Sequence, residues 1–310
     1  MASTSISTAF VKQYGSTLDL LAQTKGGKFT GKCLEESIEG EEKYYDQLGS
    51  VIAQEVTDRY AASPENDITH ARRRVTATAY DVGLMLDKFD KVQMLVNPES
   101  EYVQQQVTAL NRKKDIEFLK GVFGDAQSGK TGSTAVSLPA SQKITSAGTM
   151  TLAKMAEAKE KFQSNGIDLD DPLNKLYLVI SPKILNDMLQ IEQLTSSDYA
   201  SVKALVGGDL SSFYGFEFIV SNLVPFLNGA NATLDWGTDD AAQDTAGTDL
   251  RACFAYVHSG VRQVTNPSIM TEISKRDDKR FNYYAYSCMR TGAVRMEEEK
   301  VVQIKCDQSP

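Results

Sequence analysis

Histidine is nearly absent from this 310-residue chain, with His70 and His258 its only two, and neither stands near a cysteine or serine pattern that would pair a nucleophile with a base. The four cysteines, Cys33, Cys253, Cys288 and Cys306, are scattered without C-x-x-C spacing, so neither a zinc site nor a disulfide framework is indicated. No run of 18 apolar residues is present to span a membrane, and the opening residues lack the basic-then-apolar pattern of a secretory signal. Basic excess is missing too: 33 Lys and Arg face 41 Asp and Glu, for a formal charge of −8, which opposes nucleic-acid binding through overall basicity. Runs of adjacent acids, Glu41–Glu42 and Glu297–Glu299, read as solvated faces before they read as metal or acid/base carboxylates. No catalytic, metal or cofactor-binding residue is expected.

What the chain does contain is 41% hydrophobic residues, enough for one large or two ordinary domains. Residues 35–93 read as an extended β-ribbon. Apolar and polar residues alternate through Tyr44–Leu48, Val51–Val56 and Val75–Val82, and a polar turn spans Ser63–His70. The triplet Arg72, Arg73 and Arg74 then falls at the ribbon tip, opposite an acidic base formed by Glu35, Glu36, Glu41 and Glu42. A two-stranded ribbon of this length is marginal alone and is expected to lie on another surface. Charge-complementary docking of the acidic base and basic tip between neighbours and a simple solvated face both fit these seven residues.

A long helix is predicted over residues 97–123. Asn97 serves as N-cap, Pro98 takes the first helical position, and Glu99 and Glu101 complement the helix dipole. Val103, Val107, Leu110, Ile116, Leu119 and Phe123 supply its apolar stripe. At 1.5 Å per residue it is about 40 Å long, a spine crossing the molecule. Directly after it, Gly124–Thr131 matches the phosphate-loop pattern G-x-x-x-x-G-K-[ST]. That motif requires a preceding strand and a following helix, whereas here a helix precedes and a polar, proline-containing run follows. A helix-terminating glycine turn is the expected structure.

Residues 151–250 read as an α/β lobe. It has a helix capped by Thr151, a buried strand Leu176–Ile180, a second helix opened by Ser181–Pro182, and a strand Phe216–Val220. Residues 227–249, around the single Trp236, are expected to form a loop outside the core. Strands are predicted again at Ala252–Val257, Ser268–Ile273, Phe281–Met289 and Lys300–Cys306, together forming the sheet beneath the spine helix.

Phe10–Tyr14, His70–Val75, Asn97–Tyr102, Ser137–Ile144, Leu178–Lys183, Val202–Val206, Tyr214–Phe218 and Gly292–Val302, in this order, resemble the major capsid proteins of tailed phages with the Hong Kong 97-type fold. The resemblance covers nearly the whole chain. It implies an α+β fold with an N-terminal arm (1–34), an extended loop (35–93), a peripheral domain (94–150 and 251–310) and an inserted axial domain (151–250). It further implies hexamers and pentamers of this chain in an icosahedral shell around double-stranded DNA contacted non-specifically, a separate scaffolding protein and a portal. The protein would reside in the virion, after assembly in the host cytoplasm. Some relatives crosslink a loop lysine to an asparagine; Lys43 lies near the ribbon base, so that chemistry is not expected. A bacterial nanocompartment shell of the same fold, a P-loop nucleotidase and a ring-forming tail or adaptor protein are the alternatives.

Overall fold

The computed structural model describes residues 25–308 apart from 57, 60–62, 64, 87–98, 172, 191–211, 229–232, 237–248 and 267–268. Most of the arm, the Asn97–Pro98 helix start and Val202–Val206 therefore lie outside the described residues. In chain order the strands β1 (Leu34–Ser37), β2 (Glu42–Leu48), β3 (His70–Thr76) and β4 (Thr78–Leu86) lead to helix α1 (Glu99–Phe123). A hairpin of β5 (Ala126–Ser128) and β6 (Thr134–Val136) follows, then β7 (Lys143–Ile144) and helix α2 (Leu152–Ser164). Next come β8 (Leu176–Ile180), helix α3 (Pro182–Leu189), β9 (Ser212–Phe213), β10 (Phe216–Val220), β11 (Phe226–Asn228) and β12 (Thr233–Asp235). The chain closes with β13 (Leu250–Val257), β14 (Val261–Thr265), β15 (Met270–Arg276), β16 (Asn282–Arg295) and β17 (Val301–Asp307).

Three sheets result among the described residues. In the first, the 14-residue β16 pairs with β14, β15 and β4, and β1 adds to β14 in parallel. Helix α1, about 37 Å long at its 25 residues, lies on β16. Gly121 permits this closeness, because a Cβ there would come within 2.6 Å of Ala293 backbone atoms. Buried polar groups lock the two together: Gln106 Nε2 donates to Ala285 O at 3.1 Å and its Oε1 accepts from Ser287 Oγ at 2.8 Å. The face α1 buries is carried by Gln106, Leu110, Asp115, Phe118, Leu119, Val122 and Phe123. The apolar stripe thus holds at Leu110, Leu119 and Phe123, but Val103, Val107 and Ile116 are only half-buried and the polar Gln106 and Asp115 are inside.

The second sheet runs β12-β11-β13-β8-β10-β9, with β17 along β13 and β7 along β17. Its centre is completely apolar. Residues Ala252–Val257 of β13 are fully buried, as a strand covered on both faces must be. The expectation that all the late strands underlie the spine helix therefore fails for β13 and β17, which pair with each other, β13 also with β8 and β17 with β7. Both helix starts of this lobe follow the sequence: Thr151 Oγ1 accepts from Lys154 N–H, and Ser181 Oγ from Ile184 N–H ahead of Pro182. Trp236, expected outside the core, is half-buried with its ring edge-on to Phe123 at 6.1 Å. All four cysteines are free thiols, and burial pushes Cys33 up to about 12.

The third sheet, β2-β3-β5-β6, corrects two expectations. The ribbon is not an isolated pair, since β3 continues onto the β5–β6 hairpin and β4 returns to the first sheet through nine paired residues with β16. The Gly124–Thr131 stretch does end the helix, Gly124 N–H bonding Lys120 O at 2.7 Å, but it runs on into the first strand and turn of that hairpin. Gly129 sits at φ +91°, in the left-handed region its turn requires, and no helix follows to present N–H groups to a phosphate.

The N-terminal segment fastens these parts. Phe29 stacks on Phe118 at 4.4 Å, and Tyr256 donates its hydroxyl to Lys32 O. The buried Asp115 carboxylate on α1 collects backbone N–H groups from the turn at Gly27, Lys28 and Phe29. Burial outweighs those hydrogen bonds and pushes the Asp115 pKa up to about 6.

Candidate inter-subunit surface

The ribbon base is held by charge, residue against residue, inside one subunit. Antiparallel pairing places Asp46 opposite Arg72, Tyr45 opposite Arg73 and Tyr44 opposite Arg74. The arginine triplet thus lies within β3 and not at a ribbon tip, because the polar turn ends before His70, where pairing begins. Arg72 grips the Asp46 carboxylate through Nε and Nη2 at 2.5 and 3.3 Å, and its guanidinium lies 5.7 Å from the Tyr44 ring centre. That pairing holds the Asp46 carboxyl below its ordinary range. Arg74 donates to Glu42 at 2.9 Å.

Arg73 points inward. It donates to Met296 O at 3.0 Å and to Glu298 Oε2 at 2.6 Å. Glu298 also faces Arg295, with Nε to Oε1 at 3.6 Å. Arg295 is fully buried and donates to Val122 O, Gly124 O and Val136 O at 2.6, 3.0 and 2.9 Å. It therefore caps the C-terminal carbonyls of α1, where the helix dipole favours a cation. Burial pulls the Arg295 pKa down, while the Glu298 carboxylate works against that shift. Glu298, expected on a solvated acidic face, is instead the shared counter-ion of two buried arginines.

The acidic base is likewise internally engaged. Glu36 accepts from Lys43 at 2.6 Å and from the Tyr45 hydroxyl at 3.1 Å, and pairs with Arg262. The hydrogen bond from Lys43, reinforced by Arg262, holds the Glu36 pKa below its usual value. Glu35 pairs with Lys114 at 3.0 Å and Glu41 with Arg290 at 3.6 Å. All seven residues singled out in the sequence thus have an oppositely charged partner in their own subunit. The acidic and basic sets meet only at Glu42 and Arg74.

Exposed apolar groups occupy the surface beyond. Residues 51–56 join no strand, and Leu48, Ile52 and Val56 are 70%, 81% and 83% exposed, with Val51 and Ile68 also in water. The adjacent pair Val51-Ile52 carried the signal, since strict period-2 alternation cannot bury both. Met270, Ile273 and Phe281 form a second exposed apolar group around β15. Among the described residues no His, Cys, Asp and Glu cluster has metal-binding geometry, and no helix is long and apolar enough to cross a membrane.

The sequence matches the family model described as phage capsid protein over residues 6–308. No curated protein matches it. Solved structures similar to it include the capsid of cyanophage P-SCSP1u, at 18% identity and TM-score 0.71, covering 98% of this chain and 95% of that one. The head of Helicobacter pylori bacteriophage KHP40 aligns at 9% identity and TM-score 0.74 over 99% and 98% of the two chains. The cyanophage Pam1 capsid gives 14% identity and TM-score 0.67 over 99% of each. With a family match running almost end to end and the same fold in phage heads, the chain belongs to the phage capsid protein family.

Proposed function

We propose that this major capsid protein closes its shell by laying the far part of its ribbon, residues 48–69, on a neighbouring copy. The observation that carries this reading is the exposed apolar set Leu48, Val51, Ile52 and Val56, standing at the end of a ribbon whose own charges are already paired. A concentration of exposed large apolar side chains on one element marks a candidate association site. Many such contacts, each modest, add up in a closed assembly while leaving individual errors reversible.

On this reading Glu35, Glu36, Glu41, Glu42, Arg72, Arg73 and Arg74 serve assembly indirectly, by fixing the angle at which the ribbon leaves its own subunit. Residues 1–34 act as an arm, the α1–β16 unit as the peripheral domain and the β8–β10 lobe as the axial domain of hexamers and pentamers. The shell is icosahedral and encloses double-stranded DNA, and a separate scaffolding protein and portal complete the head. The G-x-x-x-x-G-K-[ST] match is incidental to nucleotide chemistry, because its hairpin lacks the strand-to-helix geometry of a phosphate loop.

The test is the pair Ile52→Asp and Val56→Asp. Subunits should keep their circular dichroism and melting temperature, yet electron microscopy should show no closed shells. Normal shells from both variants would remove the ribbon from the contact.

A further inference from the structure

The hairpin bearing the phosphate-loop letters and the first residues of β3 enclose an open cleft of about 470 Å³. His70, Arg72 and Lys130 line it together with Ser128 and Gly129, and Asp46 is the one carboxylate among the described lining residues. Asp46 is engaged by Arg72, so it neutralises that guanidinium and leaves the rest of the cleft to the other two bases. Lys130 is exposed and has no ion-pair partner among the described residues. His70 is exposed beside it.

We propose that this cleft is a carboxylate-binding site for a second copy of this chain, with Lys130 as its principal cation and His70 as a further donor. Two observations favour a protein occupant over a nucleic acid. His70 lies opposite Leu48 in the β2–β3 register, so the cleft adjoins the exposed apolar surface of the ribbon. An apolar patch rimmed by donors is the composition of a protein interface, whereas a phosphate-tracking groove carries continuous positive charge. The chain also bears 41 carboxylates against 33 lysines and arginines, so every neighbouring copy offers acidic side chains and its overall field disfavours polyanions. The inference rests on the shell reading above and adds to it a specific electrostatic contact.

The test uses particles reassembled from an equal mixture of isotopically light and heavy subunits. They are treated with a water-soluble carbodiimide, which condenses an amine with an adjacent carboxylate into an amide, and then digested for mass spectrometry. Lys130 should appear joined to an Asp or Glu peptide in light–heavy pairs. Replacing Lys130 by Glu should lower shell yield at low salt about tenfold, the scale of one well-placed charge contact, with folding unchanged by circular dichroism. Lys130→Arg should restore the yield. Shells in which Lys130 links only within one chain, or not at all, would overturn the site while leaving the shell reading intact. Protection of Lys130 solely in DNA-filled heads would reassign the cleft to phosphate and equally overturn it. If the unmodified chain forms no shells even with its scaffolding protein, the shell reading fails and this inference falls with it.

Discussion

At the ribbon base, from Glu42 to Asp46 and from Arg72 to Arg74, every charged side chain has a counter-ion in its own subunit; beyond it residues 51–56 join no strand, and Val51, Ile52 and Val56 stand in water beside Gln54 and Glu55. The difference separates two tasks. On the proposed docking, charge fixes the posture of the ribbon and apolar surface is left where a neighbour is to cover it. The seven charged residues singled out in the sequence all have counter-ions in their own subunit, so their charge has a use before any neighbour is met.

The largest effect that would break this comparison is expected at the buried triad. Arg73→Ala or Arg295→Ala removes one member of a desolvated ion network and leaves Glu298 under-compensated, at a cost of about 3–5 kcal/mol. Thermal melting should show subunits that unfold early or fail to accumulate. A melting temperature unchanged by either substitution would mean the triad does not hold the ribbon. Leu110→Asp, which places a carboxylate between α1 and its sheet where the leucine is 1% exposed, should cost several kcal/mol and yield insoluble chain.

A smaller effect concerns pH. The folded pKa of Asp115, about 6, lies above the unfolded carboxylate value near 4. Its contribution is therefore fully present below about pH 4 and is lost as pH rises through 6. The change is about 2–3 kcal/mol. Melting curves of Asp115→Asn across pH 4 to 7 should lack that component of the slope. Smallest is Glu41→Gln, which loosens an exposed pair with Arg290. It should shift stability by less than about 0.5 kcal/mol and leave shells intact by microscopy. A large loss of assembly there would return the acidic base to the contact surface and undo the division drawn above.

Local structure was legible where a local cause exists. The caps at Thr151 and Ser181, the proline at position 182 and the uniformly apolar runs 176–180 and 252–257 were visible because each signal lies within a few residues of the element it specifies. Pairing was less legible. That β13 and β17 leave the spine-helix sheet to join the sheet of β8 depends on contacts between residues far apart in sequence, which periodicity does not encode. The end of β16 was missed because Arg290, Gly292 and Arg295 look like a surface turn, although Arg295 is buried by three carbonyls that accept its protons. Asp115, Gln106 and Glu298 were missed for the same reason: a polar residue reads as exposed until its partners are known. Ile52 and Val56 erred in the opposite direction, standing exposed where period-2 alternation pointed to half-buried strands.

The junction at Arg73 also has a mechanical meaning. Its side chain is anchored behind β3, on Met296 O and Glu298, while the β2–β3 pairing runs on past it to Leu48 and His70. A load applied to the Leu48–His70 end is therefore delivered to the buried guanidinium and, through Glu298 and Arg295, to the last turn of α1. On the proposed docking the ribbon would work as a lever whose fulcrum is an ion network, and tilting it against a neighbour would strain the stiffest rod in the subunit.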